Sequence, residues 1–266
     1  MTTTIHPTAI IDKKAILDEN VTVGAYSIIG ARVKLGAGCK VGPHVVIDGK
    51  TTIGKNNTFF QFASVGAIPQ DLKYHGEDSE LIIGDNNVIR ESVTMHLGTE
   101  GGGMVTKVGN NNLFMAYTHI AHDCLVGDFN IFANASTLAG HVTVTNRVIL
   151  GGLSAVHQFA RIGEYAILGG GAMVGKDVPN YCIARGDHAV LYGINVIALE
   201  RNGFTAENIA LIRKVYRKLF LRGAAIEKKI SELDENVKAN PYIASWIEFL
   251  RLSERGICKV HRAADE

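Results

Sequence analysis

Apolar residues recur at every sixth position of this chain: Ile11, Leu17, Val23, Ile29, Leu35, Val41, Ile47 and Ile53. The phase resumes at Ile83 and Ile89. It then runs from Val108 through Phe114, Ile120, Val126, Phe132, Leu138, Val144, Leu150, Val156, Ile162 and Leu168 to Val174. Period six fits neither an amphipathic helix nor an alternating strand. It fits a chain winding through short flat faces, each sending one apolar side chain into a narrow interior. Three hexapeptides, about 18 residues, close one coil, and coils stack at the ~4.8 Å spacing of strands. Small residues follow many of the repeat positions, as in Val23-Gly24 and Val41-Gly42. They are expected at corners, where glycine adopts unusual dihedrals cheaply. The predicted class is mainly β: a parallel β-helix.

Two interruptions break the phase. Between Val65 and Ile83 the six-residue positions are Asp71 and Glu77, which cannot line an apolar interior, so 66–80 is predicted to leave the coil. Between Met95 and Val108 the spacing is 13, with a glycine-rich run at 98–103, which predicts a second excursion near 97–106. Loops ejected from a rigid scaffold are where function concentrates. The repeat stops near Pro179. Beyond Gly186 the chain reads as helical. Thr205 caps a helix that carries Ile209, Ile212, Tyr216 and Leu219 on one face and ends near Gly223. A second helix is predicted over 225–239, stopped by Asn240-Pro241, and a third over 243–253. The expected organisation is a β-helix domain over 1–186 and a helical domain over 187–266.

Composition removes other classes. Lys and Arg number 27 against 26 Asp and Glu, a formal charge of +1, which argues against a nucleic-acid binder. The four cysteines include no CxxC pair, so neither a disulfide scaffold nor a zinc ribbon is expected. The sequence offers no secretory signal and no bilayer-spanning stretch, and a cytoplasmic location is expected.

Stacking arithmetic orders the histidines. Ile120, Leu138, Val156 and Val174 are 18 apart and should stack on one face. His122, Gly140-His141 and His157-Gln158 follow three of them; His119 ends the preceding hexapeptide, and Asp123 follows His122. A histidine beside a carboxylate can be oriented as a general base near neutral pH. Single surface histidines usually do no more than hydrogen-bond, and His6, His44 and His261 are read that way. For His119, His122, His141 and His157, the clustering points to a site.

Five motifs are more specific: HIAHDC (119–124), QDLKYHGE (70–77), RESVTMH (90–96), TLAGHV (137–142) and AVHQF (155–159). Together with HPTAI (6–10), GDHA (186–189) and RNGF (201–204), they make nearly the whole chain resemble the UDP-N-acetylglucosamine acyltransferases. That family performs the first step of lipid A biosynthesis in Gram-negative bacteria. The resemblance implies a left-handed β-helix. It also implies transfer of an (R)-3-hydroxyacyl group from acyl carrier protein to the glucosamine 3-hydroxyl of UDP-N-acetylglucosamine. It gives His122 as general base, Asp123 as its orienting partner and the Gly140 N–H as oxyanion donor. Gln70, Asp71, Lys73, His96, His119 and His141 are then expected around the sugar and the acyl-chain entrance. His157 and Gln158 are expected near the nucleotide and sugar, and Asn195 and Arg201 on the uridine diphosphate. Asn202 stands where members often carry a second arginine. Gly170, with Leu168 and Met173 nearby, matches the position that sets acyl-chain length, where a small residue leaves room for a longer chain.

A thioester is already activated, so neither a metal nor a cofactor is expected. The resemblance further implies a homotrimer with sites between adjacent β-helices. It also implies docking of the acidic carrier protein on Arg213, Lys214, Arg217, Lys218 and Arg222. The N-acyltransferase later in the same pathway is set aside, because the repeat begins by Ile11 and leaves no room for its globular uridine-binding domain; two further rivals remain. One is a zinc enzyme using His119, His122 and His141, which would need neither the QDLKY loop nor the helical tail. The other is a purely structural β-helix. The sequence leaves open the acyl length and a 3-amino sugar nucleotide as acceptor.

Overall fold

The computed structural model describes residues 3–220 and 225–261. From Thr4–Ile5 to Met173–Val174, strands of two to four residues alternate with corners. They assemble into three sheets of 11, 9 and 8 strands, here the first, second and third faces. Successive strands visit the faces in rotation, and pairing along the coil is parallel, as in His119↔Thr137 and Ile120↔Leu138. This is a left-handed parallel β-helix: the repeat predicted the coil, and the resemblance implied its hand. Repeat residues point inward and are buried, from Val23 to Val174. Phe114 and Phe132 stack in the interior with ring centroids 4.7 Å apart.

Buried asparagines complete the stack. Asn57, Asn87, Asn112 and Asn130 occupy one corner of successive coils, and each side chain hydrogen-bonds the next at 3.0 Å or less. A buried amide with both ends satisfied costs little and fixes register.

The glycines do something other than the sequence suggested. The left-handed corner conformation falls largely on non-glycine residues, among them Tyr26, Phe62, Asp123, His141 and Leu153. The repeat glycines instead lie where coils touch. A Cβ on Gly24 would come within 2.7 Å of the Gly42 carbonyl carbon, and one on Gly36 within 2.5 Å of the Gly54 oxygen. Close approach between coils, and not dihedral freedom, requires them.

Both excursions are present. Thr58 pairs with Val88, 30 positions on instead of 18, and Val88 pairs with Leu113, 25 positions on. The insertions therefore add 12 and 7 residues. They fall between Ser64–Ala67 and Glu80–Ile83, and between Thr94–His96 and Val105–Val108, the second holding a 3₁₀ turn at Glu100–Gly102.

The C-terminal part departs from expectation in three ways. First, the sheet continues beyond the repeat. Cys182–Arg185 joins the first face in parallel, and Val190–Ile194 returns against it antiparallel. Second, a short helix, α1 (Val196–Arg201), precedes α2 (Ala206–Phe220). Third, the helix predicted over 225–239 is two pieces, α3 (Ile226–Ser231) and α4 (Glu235–Lys238), because Leu233 turns inward and Asp234 is extended. Asn240-Pro241 does not merely stop that helix but starts α5 (Pro241–Arg251). The Asn240 carboxamide accepts from Tyr242 N at 3.1 Å, and proline costs nothing at a first position that has no use for its N–H. Trp246, Tyr216 and Tyr181 form the core between helices and coil. Arg161 holds α5 to the third face, its guanidinium over Phe249 and donating to the Phe249 carbonyl.

Candidate active site

Three successive corners between the second and third faces carry His122-Asp123, Gly140-His141 and Gln158-Phe159. Backbone bonds stack them: His141 N donates to His122 O and Phe159 N to Gly140 O. Asp123 (φ 59°) and His141 (φ 62°) are left-handed, conformations that Asp and His tolerate better than most residues. His122 Nδ1 lies 2.8 Å from Asp123 Oδ2, and the Asp123 side chain is wholly buried. A proton on Nδ1, directed at a buried carboxylate, leaves Nε2 free as a base. Thr99 satisfies the rest of the carboxylate, donating through its N–H to Oδ1 (2.9 Å) and through Oγ1 to Oδ2 (2.6 Å).

Gly140 lies directly over this dyad. A Cβ there would come 2.5 Å from His122 Cε1 and 2.6 Å from Nε2, so glycine alone fits. Its N–H donates to no acceptor among the described residues. The His141 ring stands perpendicular to His122 at 5.0 Å and stacks on Phe159 at 4.3 Å.

Two more histidines adjoin on the second face. His119 Nδ1 bonds Thr94 Oγ1 at 2.7 Å, and the buried His96 packs edge-on against the His119 ring at 4.8 Å. Burial, helped by the neighbouring imidazoles His119 and His122, brings His96 down to about 4. His119 is lowered by burial and by His122. His141 is lowered mainly by burial, against the opposing pull of the Asp123 and Asp71 charges. These three imidazoles are therefore neutral near pH 7, and the cluster is not a cationic patch. Among the described residues, His122, Asp123 and His141 also form a set that could hold a metal, with ligand atoms within 4.8 Å of one another. Their Nδ1–carboxylate bond and the saturation of Asp123 by Thr99 suit proton transfer better than coordination.

Comparison with known proteins decides the family. The chain is 51% identical over 253 residues to the acyl-[acyl-carrier-protein]–UDP-N-acetylglucosamine O-acyltransferase of Aliarcobacter butzleri, covering 95% of this chain and 97% of the relative. The chain belongs to this acyltransferase family. Residues 177–258 match the family description "Udp N-acetylglucosamine O-acyltransferase; Domain 2". Among solved structures, LpxA from Acinetobacter baumannii superposes with a TM-score of 0.94 at 46% identity, over 96% of this chain and 99% of that one. The UDP-N-acetylglucosamine acyltransferase from Campylobacter jejuni gives 0.88 at 34% identity, over 97% and 100%.

The fold gathers only part of the expected acyltransferase site. His96, His119, His122, Asp123, Gly140 and His141 come together. His157 does not join that column: it precedes its corner, so the coil aligns it with Ala139, and Gln158 is the residue that aligns with Gly140. Counting by 18 gives this same register, with 157 over 139 and 158 over 140, so His157 shares the strand with the cluster but not its corner. His157 instead lines a groove of about 800 Å³ with Met173, Lys176 and His188. Gly170 is an exposed corner residue, where a Cβ would meet nothing closer than the Gly152 oxygen at 3.5 Å. Gln70, Asp71 and Lys73 lie on the first excursion; Asp71 reaches the cluster through its charge on His141. Asn195 is buried as the cap of α1, donating to Tyr165 O (3.0 Å) and accepting from Ala198 N (3.3 Å), so its carboxamide is already engaged. Arg201 is exposed, and beside it Asn202 accepts from Arg147. Arg213, Lys214 and Arg217 are exposed on α2. Lys218 is half-buried, with its ammonium on the Glu232 carbonyl, and Arg222 lies outside the described residues. Thr99 went unnoticed in the sequence; its only signal was its place in the out-of-phase gap. No helix among the described residues is long and apolar enough to cross a membrane.

Proposed function

We propose that this chain transfers an (R)-3-hydroxyacyl group from acyl carrier protein to the 3-hydroxyl of UDP-N-acetylglucosamine, the opening reaction of lipid A biosynthesis. The observation that carries the reading is the His122–Asp123 pair beneath the unpaired Gly140 amide. A sugar hydroxyl is a poor nucleophile until its proton is removed. His122 Nε2 takes that proton as the oxygen attacks the thioester carbonyl, and Asp123, remaining ionised, holds the imidazolium in place. The carbonyl oxygen becomes an oxyanion that the Gly140 N–H meets. Collapse expels the carrier thiolate, which takes the proton back from His122. Atoms and charges balance without a metal or a covalent enzyme intermediate.

Around this centre, His96, His119 and His141 line the sugar and acyl entrance as neutral groups, with Gln70, Asp71 and Lys73 closing from the first excursion. His157 and Gln158 face the nucleotide side, and Arg201 contacts the diphosphate, with Asn195 supporting it from the α1 cap. Gly170, with Leu168 and Met173 nearby, sets the acyl length and leaves room for a long chain. The β-helix of 1–186 carries the chemistry. The part from 187 onward carries carrier docking on Arg213, Lys214, Arg217 and Lys218, whose cationic face attracts an acidic partner. The chain works as a cytoplasmic homotrimer. In support, one corner column exposes Tyr26, Phe62, Tyr117 and Leu153, each at least 60% accessible in the single chain.

The test is turnover of UDP-N-acetylglucosamine with 3-hydroxyacyl carrier proteins of graded length. His122→Ala should lower kcat on the order of a thousandfold while leaving the fold intact. Absence of turnover across the whole series would sink the reading.

A further inference from the structure

The second excursion adds seven residues between Val88 and Leu113 that the coil itself does not need. It wraps one side chain. Thr99 is buried, and both its donors reach the Asp123 carboxylate, the N–H to Oδ1 at 2.9 Å and the hydroxyl to Oδ2 at 2.6 Å. The 3₁₀ turn then folds back: Gly102 N and Met104 N both donate to Thr99 O. Gly102 lies flat on the carboxylate, where an added Cβ would be 1.9 Å from Asp123 Cγ. On the far side of the turn, Thr106 Oγ1 accepts from Asp123 N at 2.7 Å. A carboxylate bonded to His122 alone could swivel and offer either oxygen. Held by a two-pronged donor and roofed by a glycine, it has one orientation, with Oδ2 on His122 Nδ1 at 2.8 Å. Small errors in aiming a base are costly in rate.

We propose that Thr99 is a positioning residue for the acyl transfer, acting through Asp123 to fix the His122 imidazole, and that the glycine-rich excursion exists to place it. This rests on the reading of His122 and Asp123 as the proton-transfer pair.

The decisive comparison is Thr99→Val against Thr99→Ser, each also combined with Asp123→Ala, in steady-state assays with acyl carrier protein substrate. Removing one hydrogen bond to a charged group should lower kcat by roughly 10- to 100-fold. KM for both substrates should stay near the parent's, while the thermal midpoint falls, because the same bond to a buried carboxylate also supports the fold. Serine, which keeps the hydroxyl, should retain at least about a third of kcat, on the same hydrogen-bond argument. In the Asp123→Ala background, Thr99→Val should cost nothing further, because the group it acts through is gone. The proposal is overturned if Thr99→Val keeps parental kcat while Asp123→Ala is impaired, or if its loss multiplies with that of Asp123→Ala. Should valine disrupt folding, Thr99→Ala against Thr99→Ser carries the same contrast, and equal kcat in those two overturns it. Parental activity in Asp123→Ala would be a different failure, that of the dyad itself.

Discussion

The candidate site is built on residues that a coil corner holds in uncommon conformations. Asp123 and His141 are both left-handed, and their side chains meet neighbouring layers, Asp123 on Thr99 and His141 on the Phe159 ring. Strain of this kind persists only where surrounding bonds enforce it, and here backbone and threonine contacts do so. Gly140 is the complementary case, since space over the His122 ring and not dihedral freedom excludes a side chain. Gly140→Ala should therefore displace the imidazole and lower kcat by ~100-fold or more, the scale of losing an oxyanion donor, with little change in melting temperature. His96 supplies a stability prediction. Its folded-state value of about 4 lies below the 6.5 of an exposed imidazole, so below 6.5 the unfolded chain binds a proton that the folded chain does not. The stabilisation is complete above pH 6.5 and is lost as the pH falls toward about 4. Urea unfolding between pH 4 and pH 7 should show this loss, and His96→Gln should shallow the slope.

At the level of elements, short strands are specified by a single inward residue each, whereas α1 and α5 are each begun by an asparagine side-chain cap. Asn240→Ala removes the side-chain acceptor for Tyr242 N and should cost about 1 kcal/mol, read as a lower urea midpoint with the acyl-transfer rate unchanged. The two excursions are tied together, because the Glu77 carboxylate accepts from Glu100 N at 3.1 Å and from His75 N at 2.8 Å. On α2 the cations Arg213, Lys214 and Arg217 face solvent without an acidic residue between them. Reversing Arg213 and Arg217 to Glu should raise KM for the acyl carrier protein at least tenfold and flatten its salt dependence, leaving KM for the nucleotide sugar unchanged.

As a whole molecule the chain is a solenoid, each coil resting only on its neighbours, so damage to one interior layer propagates along the axis. Phe132, stacked on Phe114 and fully buried, is such a layer. Phe132→Ala should destabilise by about 3–5 kcal/mol, measured by urea unfolding. A flat-faced prism also exposes more apolar surface than a compact domain, and the corner column of Tyr26, Phe62, Tyr117 and Leu153 is its most apolar edge. On the proposed trimeric assembly, Leu153→Asp should shift the mass seen by light scattering toward that of a single chain, and an unchanged mass would count against the assembly through this edge.

What the sequence determined by itself was the scaffold and the pairing of His122 with Asp123 at one corner of it. A six-residue period has one compact solution, and both departures from it, at Asp71-Glu77 and at 98–103, coincide with real excursions. The motif HIAHDC contained the dyad. Tertiary structure decided what periodicity cannot express. It assigned the repeat glycines to contacts between coils. It spent the Asn195 side chain on a helix cap and broke the predicted helix over 225–239 at Asp234. It also brought Thr99 onto Asp123 across 24 positions. The reason is common to all of these. Period and motif record what each residue offers to its own coil, whereas these outcomes depend on which atoms of other coils and loops lie within a few ångströms, and only the folded chain fixes that.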